Sequence, residues 1–298
     1  MGYFVRRFFR IYPLYFCYLL LALISSLVLC KLLHANSVIG IPFALSLNEF
    51  IEHILLIRGK GVTWSILVEF RFYFVLPVLA LIYSVLFKNK LLPSIILTLI
   101  LILVSQSFWP QSESLVNDSR LEFYLPIFFM SSLLAVIYHN WQGSYLINNK
   151  KVRLAIEIAG LIAIVTLIIM IPSVSSYMLG KSIPLDYYHK QFMLFGFLWS
   201  IVLFACIAGI GILRRFFEAR FLRYLGFISF SMYLLHIIPL FVLKKLGLNL
   251  FMQLPIVGWM ILAITIATSH LTWTFIEKPT SKIRYSKSAR FRLTFNKA

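Results

Sequence analysis

The chain has 298 residues, 61% of them hydrophobic and only 13% charged. A soluble domain carries about 45–50% apolar and about 25% charged residues, so this composition excludes a water-soluble fold. The net charge of +18, from 28 Lys and Arg against 10 Asp and Glu, has the sign of a nucleic-acid binder. Such proteins do not carry serial apolar runs of spanning length, so no nucleic-acid partner is expected.

The opening residues, MGYFVRRFFRIYP, are too aromatic for a signal peptide and lack a small-residue cleavage site, so the first apolar run is expected to stay as a span. A spanning helix needs about 20 mostly apolar residues. Eight stretches qualify: 13–33, 65–87, 91–108, 121–138, 154–172, 191–213, 225–243 and 254–276. The stretch 48–57 is too short and too charged to span and reads as an interfacial or re-entrant helix. The prediction is an all-α, polytopic transmembrane helix bundle of about eight spans, forming a single domain over 1–298.

With the N-terminus inside, the cytoplasmic segments collect Arg6, Arg7 and Arg10, then Lys150, Lys151 and Arg153, then Arg214, Arg215, Arg220 and Arg223. The basic tail 278–298 falls on the same side and is expected to lie along anionic lipid. The outer segments hold fewer cations, among them Arg58, Lys60 and Arg120. That asymmetry predicts both termini in the cytoplasm. Cys17, Cys30 and Cys206 lie in apolar runs without ligand spacing and are expected to be small buried hydrophobes; no metal site is expected.

Four places could carry chemistry. Arg7 and Arg10 are three apart and share a helix face, so both guanidiniums could grip one anion; a topology anchor is the plainer alternative. Ser65, Glu69 and Tyr73 share a face of the second span, and an intramembrane carboxylate is a functional candidate by default. Arg71, two residues from Glu69, points elsewhere. Ser229, Tyr233 and His236 form another polar stripe, where the histidine is either a base or a hydrogen-bonded structural group. Glu277, beside Lys278 and Pro279, reads as a helix stop. The other histidines, His34, His53, His139, His189 and His270, have no informative partner spacing.

RRFFRIYPLYF at 6–16, WSILVEFRFYFVLP at 64–77, LGFISFSMYLLHIIP at 225–239 and FIEKP at 275–279 occur in that order. Together they resemble the motifs of acyltransferase family 3, the membrane-bound O-antigen and exopolysaccharide O-acetyltransferases, over essentially the whole chain. The resemblance implies an acyltransferase, transferring groups other than aminoacyl groups, in the inner (plasma) membrane. It would move an acyl group, usually acetyl, from cytoplasmic acyl-CoA to a hydroxyl of an envelope polysaccharide or glycolipid. Acyl-CoA is then a co-substrate, with no bound cofactor, and the partners are membrane lipids, acyl-CoA and the glycan acceptor.

By position, the resemblance puts Arg7 and Arg10 near the donor, with Arg223 on the same side. It puts Glu69 and His236 at buried polar positions, as catalytic candidates. Trp64, Ser65, Arg71, Tyr73 and Tyr233 belong to the acceptor side. Arg71 stands where the family has Gln. The family's catalytic histidine lies in a first span that, with the second, precedes the arginine pair; this sequence starts at that pair. A chain lacking those two spans, through a misplaced start or a truncated gene, with little or no turnover as written is therefore the expectation; His236 could substitute in principle. A transporter or flippase for an envelope lipid or sugar, or an inactive remnant, are the alternatives.

Overall fold

A computed structural model describes residues 2–33, 40–184, 187–245 and 255–283. They are helical, with no strand among them, as an all-α bundle requires. In hydrocarbon a helix satisfies its own backbone polar groups. Seven helical stretches among the described residues are long and apolar enough to cross a membrane. The eighth predicted span, 191–213, is a shorter apolar helix of 17 residues, Phe192–Ala208. Gly209 is extended, and Gly211 takes a left-handed φ of 104°, so the helix stops there. Of the predicted basic tail, 278–283 lies within the described residues and 284–298 outside them, as do His34 and the His189 side chain.

The chain divides into two compact units, one from the described residues of Met1–Leu67 and Tyr224–Ala298, the other Val68–Arg223. Helix α1 (Gly2–Leu33) opens the first unit. Its buried positions, Ile11, Leu14, Tyr15, Tyr18, Leu19, Ala22, Leu23 and Ser26, follow a helical repeat, while Leu21, Ile24 and Leu27 stay exposed. Both faces are apolar, so hydropathy alone does not separate the one that packs. Cys17 is exposed and Cys30 and Cys206 half-buried. This corrects the expectation of buried thiols: an apolar run in a span buries a side chain in lipid as readily as in protein.

Helix α2 (Leu47–Ile54) replaces the predicted 48–57 element. It starts with a capping box in which the Ser46 hydroxyl accepts from the Glu49 N–H while the Glu49 carboxylate accepts from the Ser46 N–H. The loop into α2 is bound by α1, where Ser25 Oγ accepts from Ile41 N at 2.8 Å and Ser26 Oγ from Leu45 N at 3.0 Å. At its other end Tyr15 donates to the His53 carbonyl at 2.8 Å and Tyr12 to that of Ile54 at 2.9 Å. Ser26 and Tyr15 are about 16 Å apart along α1 at 1.5 Å per residue. Helix α2 therefore runs back alongside α1.

Helix α3 (Trp64–Leu81) begins in the first unit and continues into the second. The second unit holds α4 (Leu91–Phe108), α5 (Leu125–Gln142), α6 (Lys150–Ile169), α7 (Pro172–Leu179), α8 (Phe192–Ala208) and α9 (Ile212–Phe217). Its tightest joint is α6 on α8. A Cβ on Gly160 of α6 would sit 2.4 Å from the Ala205 Cβ, so only glycine lets these backbones approach. About two turns earlier on α6, Arg153 donates from Nη2 to the Gly209 carbonyl at 2.7 Å. Glu157 accepts from Gly211 N at 3.0 Å and Leu213 N at 2.6 Å. A cation thus closes the carbonyl end of α8 and an anion the amide end of α9, each with the sign the helix dipole favours.

The first unit ends with α10 (Arg220–Leu235, whose first residues belong to the second unit), α11 (Ile237–Lys245), α12 (Pro255–Thr272), a π-helical turn Trp273–Glu277 and α13 (Lys278–Thr280).

Candidate functional site

The break between α10 and α11 falls at His236. Pro239 has no N–H to give the Leu235 carbonyl, and its ring would clash with that oxygen, so the helix is interrupted one turn earlier. His236 is thus at a joint in the span, not inside an unbroken helix. Its Nδ1 lies 2.8 Å from the Tyr233 carbonyl oxygen. A carbonyl only accepts, so Nδ1 carries the hydrogen, and in the neutral ring Nε2 keeps the lone pair.

The predicted stripe Ser229, Tyr233 and His236 is realised: all three line one cavity of about 610 Å³ beside α12. Its other walls are apolar, including Met232, Leu240 and Ile261. Each lining hydroxyl donates elsewhere: Ser229 to the Gly226 carbonyl at 2.9 Å, Thr265 to that of Ile261 at 2.8 Å, and Tyr233 to that of Val62 at 2.8 Å. Gly226 and Gly258 line it from facing helices, and a Cβ on either would meet nothing within 4 Å. Glycine inside a helix costs about 1 kcal/mol relative to alanine. Neither glycine allows a close helix contact here; both leave room.

Tyr233 and Ser65, set 168 residues apart in the chain, are joined by a hydrogen bond of 2.7 Å from Ser65 Oγ to the Tyr233 hydroxyl. With its proton on the Val62 carbonyl, that hydroxyl is fully engaged and fixes α10 to the start of α3. Trp64, half-buried, begins the same helix.

At the other end of the unit, α1 packs against the π-helical turn and α13. Arg7 lies over the Tyr3 ring at 5.9 Å, and Arg10 is exposed and close enough to act electrostatically on Glu277. Glu277 is only 7% exposed and accepts from the Ser231 hydroxyl, which in turn accepts from Thr272 Oγ1 at 2.9 Å. The helix-stop reading of Glu277 is therefore corrected. Ser231 lies on the opposite face of α10 from the Ser229 stripe, and only its bond to Glu277 shows that this face is also polar and occupied. The sequence signal was there, a carboxylate ending the last apolar run, but its partner lies 46 residues away.

The remaining candidates belong to the second unit. The Tyr73 hydroxyl donates to Glu69 Oε1, one turn away, as the shared face predicts. Arg71 turns from Glu69, and its Nη1 donates to the Ser119 carbonyl at 3.3 Å. Arg223 is exposed in the first turn of α10. Glu157 was a carboxylate within a predicted span that the motifs do not mark; its spacing of four from Arg153 was the available signal.

Two histidines without expected partners have them. His270 Nδ1 meets the Tyr224 hydroxyl at 3.0 Å. His53 is fully buried, with Nδ1 at 2.6 Å from the Glu49 carbonyl and Nε2 unpartnered. Burial pushes its imidazole below the ordinary histidine value, against the pull of the Glu49 carbonyl and carboxylate.

The family model of acyltransferase family 3, described as an acyltransferase domain, matches residues 1–273. The chain belongs to acyltransferase family 3. It is a membrane-embedded, multi-pass acyltransferase, which favours that reading over a transporter. No curated protein and no solved structure matches it.

Proposed function

We propose that this acyltransferase moves an acyl group, acetyl in the simplest case, from cytoplasmic acyl-CoA to a hydroxyl of an envelope polysaccharide or glycolipid across the inner (plasma) membrane. Both termini would lie in the cytoplasm, as the charge asymmetry favours. The observation that carries the reading is His236: in a family of acyltransferases, its Nδ1–H is committed to the Tyr233 carbonyl and its side chain lines a cavity.

In the proposed step the acceptor oxygen attacks the thioester carbonyl and the hydroxyl proton passes to His236 Nε2. The tetrahedral intermediate collapses, the C–S bond breaks, and the CoA sulfur leaves as thiolate and takes that proton. A positioned base contributes about 10²–10⁴-fold to such a transfer. Arg7 and Arg10 are assigned to CoA phosphates, for which a guanidinium fork is suited. Arg223 is a further donor-side cation. Glu69, held by Tyr73, is assigned with Trp64, Ser65 and Arg71 to the acceptor side, and Tyr233 positions the base.

The test is transfer of labelled acetyl from acetyl-CoA to envelope glycan in proteoliposomes containing this chain. His236→Gln keeps a polar side chain without a base and is expected to lose about 100-fold or more in kcat. Arg10→Ala is expected to raise KM for acetyl-CoA with a smaller effect on kcat. Undiminished turnover in His236→Gln places the base elsewhere, and no transfer by the wild-type chain overturns the assignment to His236.

A further inference from the structure

Beyond the one acceptor hydroxyl that must reach His236, the cavity is poorly suited to the body of a sugar. A polyol entering it would find acceptor lone pairs on Ser229 and Thr265 but no free hydroxyl donor, because those protons already face backbone carbonyls, and its other polar groups would meet apolar wall. Of the polar groups that line it, the Nε2 of His236 is the basic one, a ring nitrogen with a lone pair and no hydrogen-bond partner among the described residues, beside the weaker hydroxyl acceptors of Ser229 and Thr265. A ligand that fits has one reacting polar end and a hydrocarbon body.

A second cavity of about 790 Å³ adjoins the first, and Ile261 lines both. Its lining is aliphatic, with Leu21, Ile238, Val242 and Ile264 among the walls. The threonines that reach it are engaged: Thr268 donates to the Ile264 carbonyl at 2.8 Å and Thr272 to Ser231 Oγ at 2.9 Å. Ile261 is thus the lining residue common to the two, and apolar lining extends from one to the other. Gly226 and Gly258 widen the first chamber at the expense of helix propensity, with no neighbour close enough to require a glycine.

We infer that the two chambers hold the acyl chain of the donor, that the acyl group accepted extends to aliphatic chains longer than acetyl, and that Ile261 and Gly258 set the chain length. This rests on the proposed acyl transfer at His236. The acyl carbonyl sits by His236, the chain runs through the first chamber, and Ile261 divides it from the second. Volumes of this size are those of ordinary small-molecule sites.

The test uses the full chain in nanodiscs with a palmitoyl-CoA carrying a diazirine near the chain end. Photolysis is expected to label the Gly258–Leu262 segment, and unlabelled palmitoyl-CoA, but not excess phospholipid, is expected to compete. Gly258→Leu adds bulk to open space and is expected to raise the acetyl-to-octanoyl ratio of kcat/KM by about tenfold or more, the scale on which a pocket discriminates single methylenes. Ile261→Ala joins the chambers and is expected to shift the ratio the opposite way, which misfolding does not mimic. Label displaced by phospholipid identifies ordinary bilayer lipid and overturns the inference, as does a ratio unmoved by both variants. A Gly258→Cys disulfide between two copies, showing the chamber covered by a helix, also overturns it. If the wild-type chain turns over no acyl-CoA of any length, the function proposed above fails, and the competition labelling alone then decides this inference.

Discussion

His236 and Glu157 are both ionisable groups in apolar helices, and they differ in what is left over. Glu157 receives two backbone N–H groups, Arg153 stands one turn away, and Gly160 and Gly209 beside them are packed tight. A Cβ on Gly209 would lie 2.2 Å from Glu157 Oε2. His236 commits one nitrogen and keeps the other, on a cavity whose glycines touch nothing. A charged or titratable group in a span is costly. Where every bond is closed, the group holds helices together; where one remains open toward a cavity, it is the place proposed for chemistry.

Substitutions can break that contrast, and the largest effect is expected at the closed site. Glu157→Ala leaves two buried N–H groups unpartnered and is expected to cost about 2–5 kcal/mol, read as lost expression or a lower Tm in detergent. Glu157→Gln, which keeps an acceptor oxygen, is expected to recover part of that. If Glu157→Ala melts like wild type, the clamp is not what joins α8 and α9. Gly160→Ala forces a contact against Ala205 and is expected to cost about 1–3 kcal/mol. The same change at Gly226 or Gly258 is expected to be neutral or to stabilise by up to about 1 kcal/mol. Equal losses at the packed and unpacked glycines would erase the distinction between the two regions. Tyr233→Phe, which removes the tie to Val62 and Ser65, is expected to cost about 1 kcal/mol.

His53 sharpens the comparison from another side. Like His236 it gives Nδ1–H to a carbonyl, but it is fully buried and its Nε2 has no hydrogen-bond partner. Its depressed value in the folded state makes the unfolded chain bind more protons. Its contribution is therefore complete above the unfolded value of about 6.5 and lost as pH falls below it. Tm is expected to drop between about pH 7 and pH 5, and His53→Asn, which donates to Glu49 without titrating, is expected to flatten that slope. A slope unchanged in His53→Asn assigns it to other groups. This is the smallest effect of the set.

Much of this was legible along the chain. Apolar length marked the spans, because hydrocarbon thickness imposes it. The face shared by Ser229, Tyr233 and His236 followed from helical spacing, as did the bond between Glu69 and Tyr73. Glu277 was misread because local spacing shows a helix end and not a partner on another helix. The Gly209–Gly211 stop inside 191–213 was missed because glycines are common in membrane helices, and only the clamp from α6 makes these a terminus.

The residues alone determined that this protein lies in a membrane, that it is helical, and which polar side chains share a face, since all three follow from hydrophobicity and a fixed helical repeat. Tertiary structure decided which of those side chains are used up and which stay open. In a chain apolar on every face, only the approach of another helix settles whether a hydroxyl, a carboxylate or a glycine meets protein, lipid or an empty chamber.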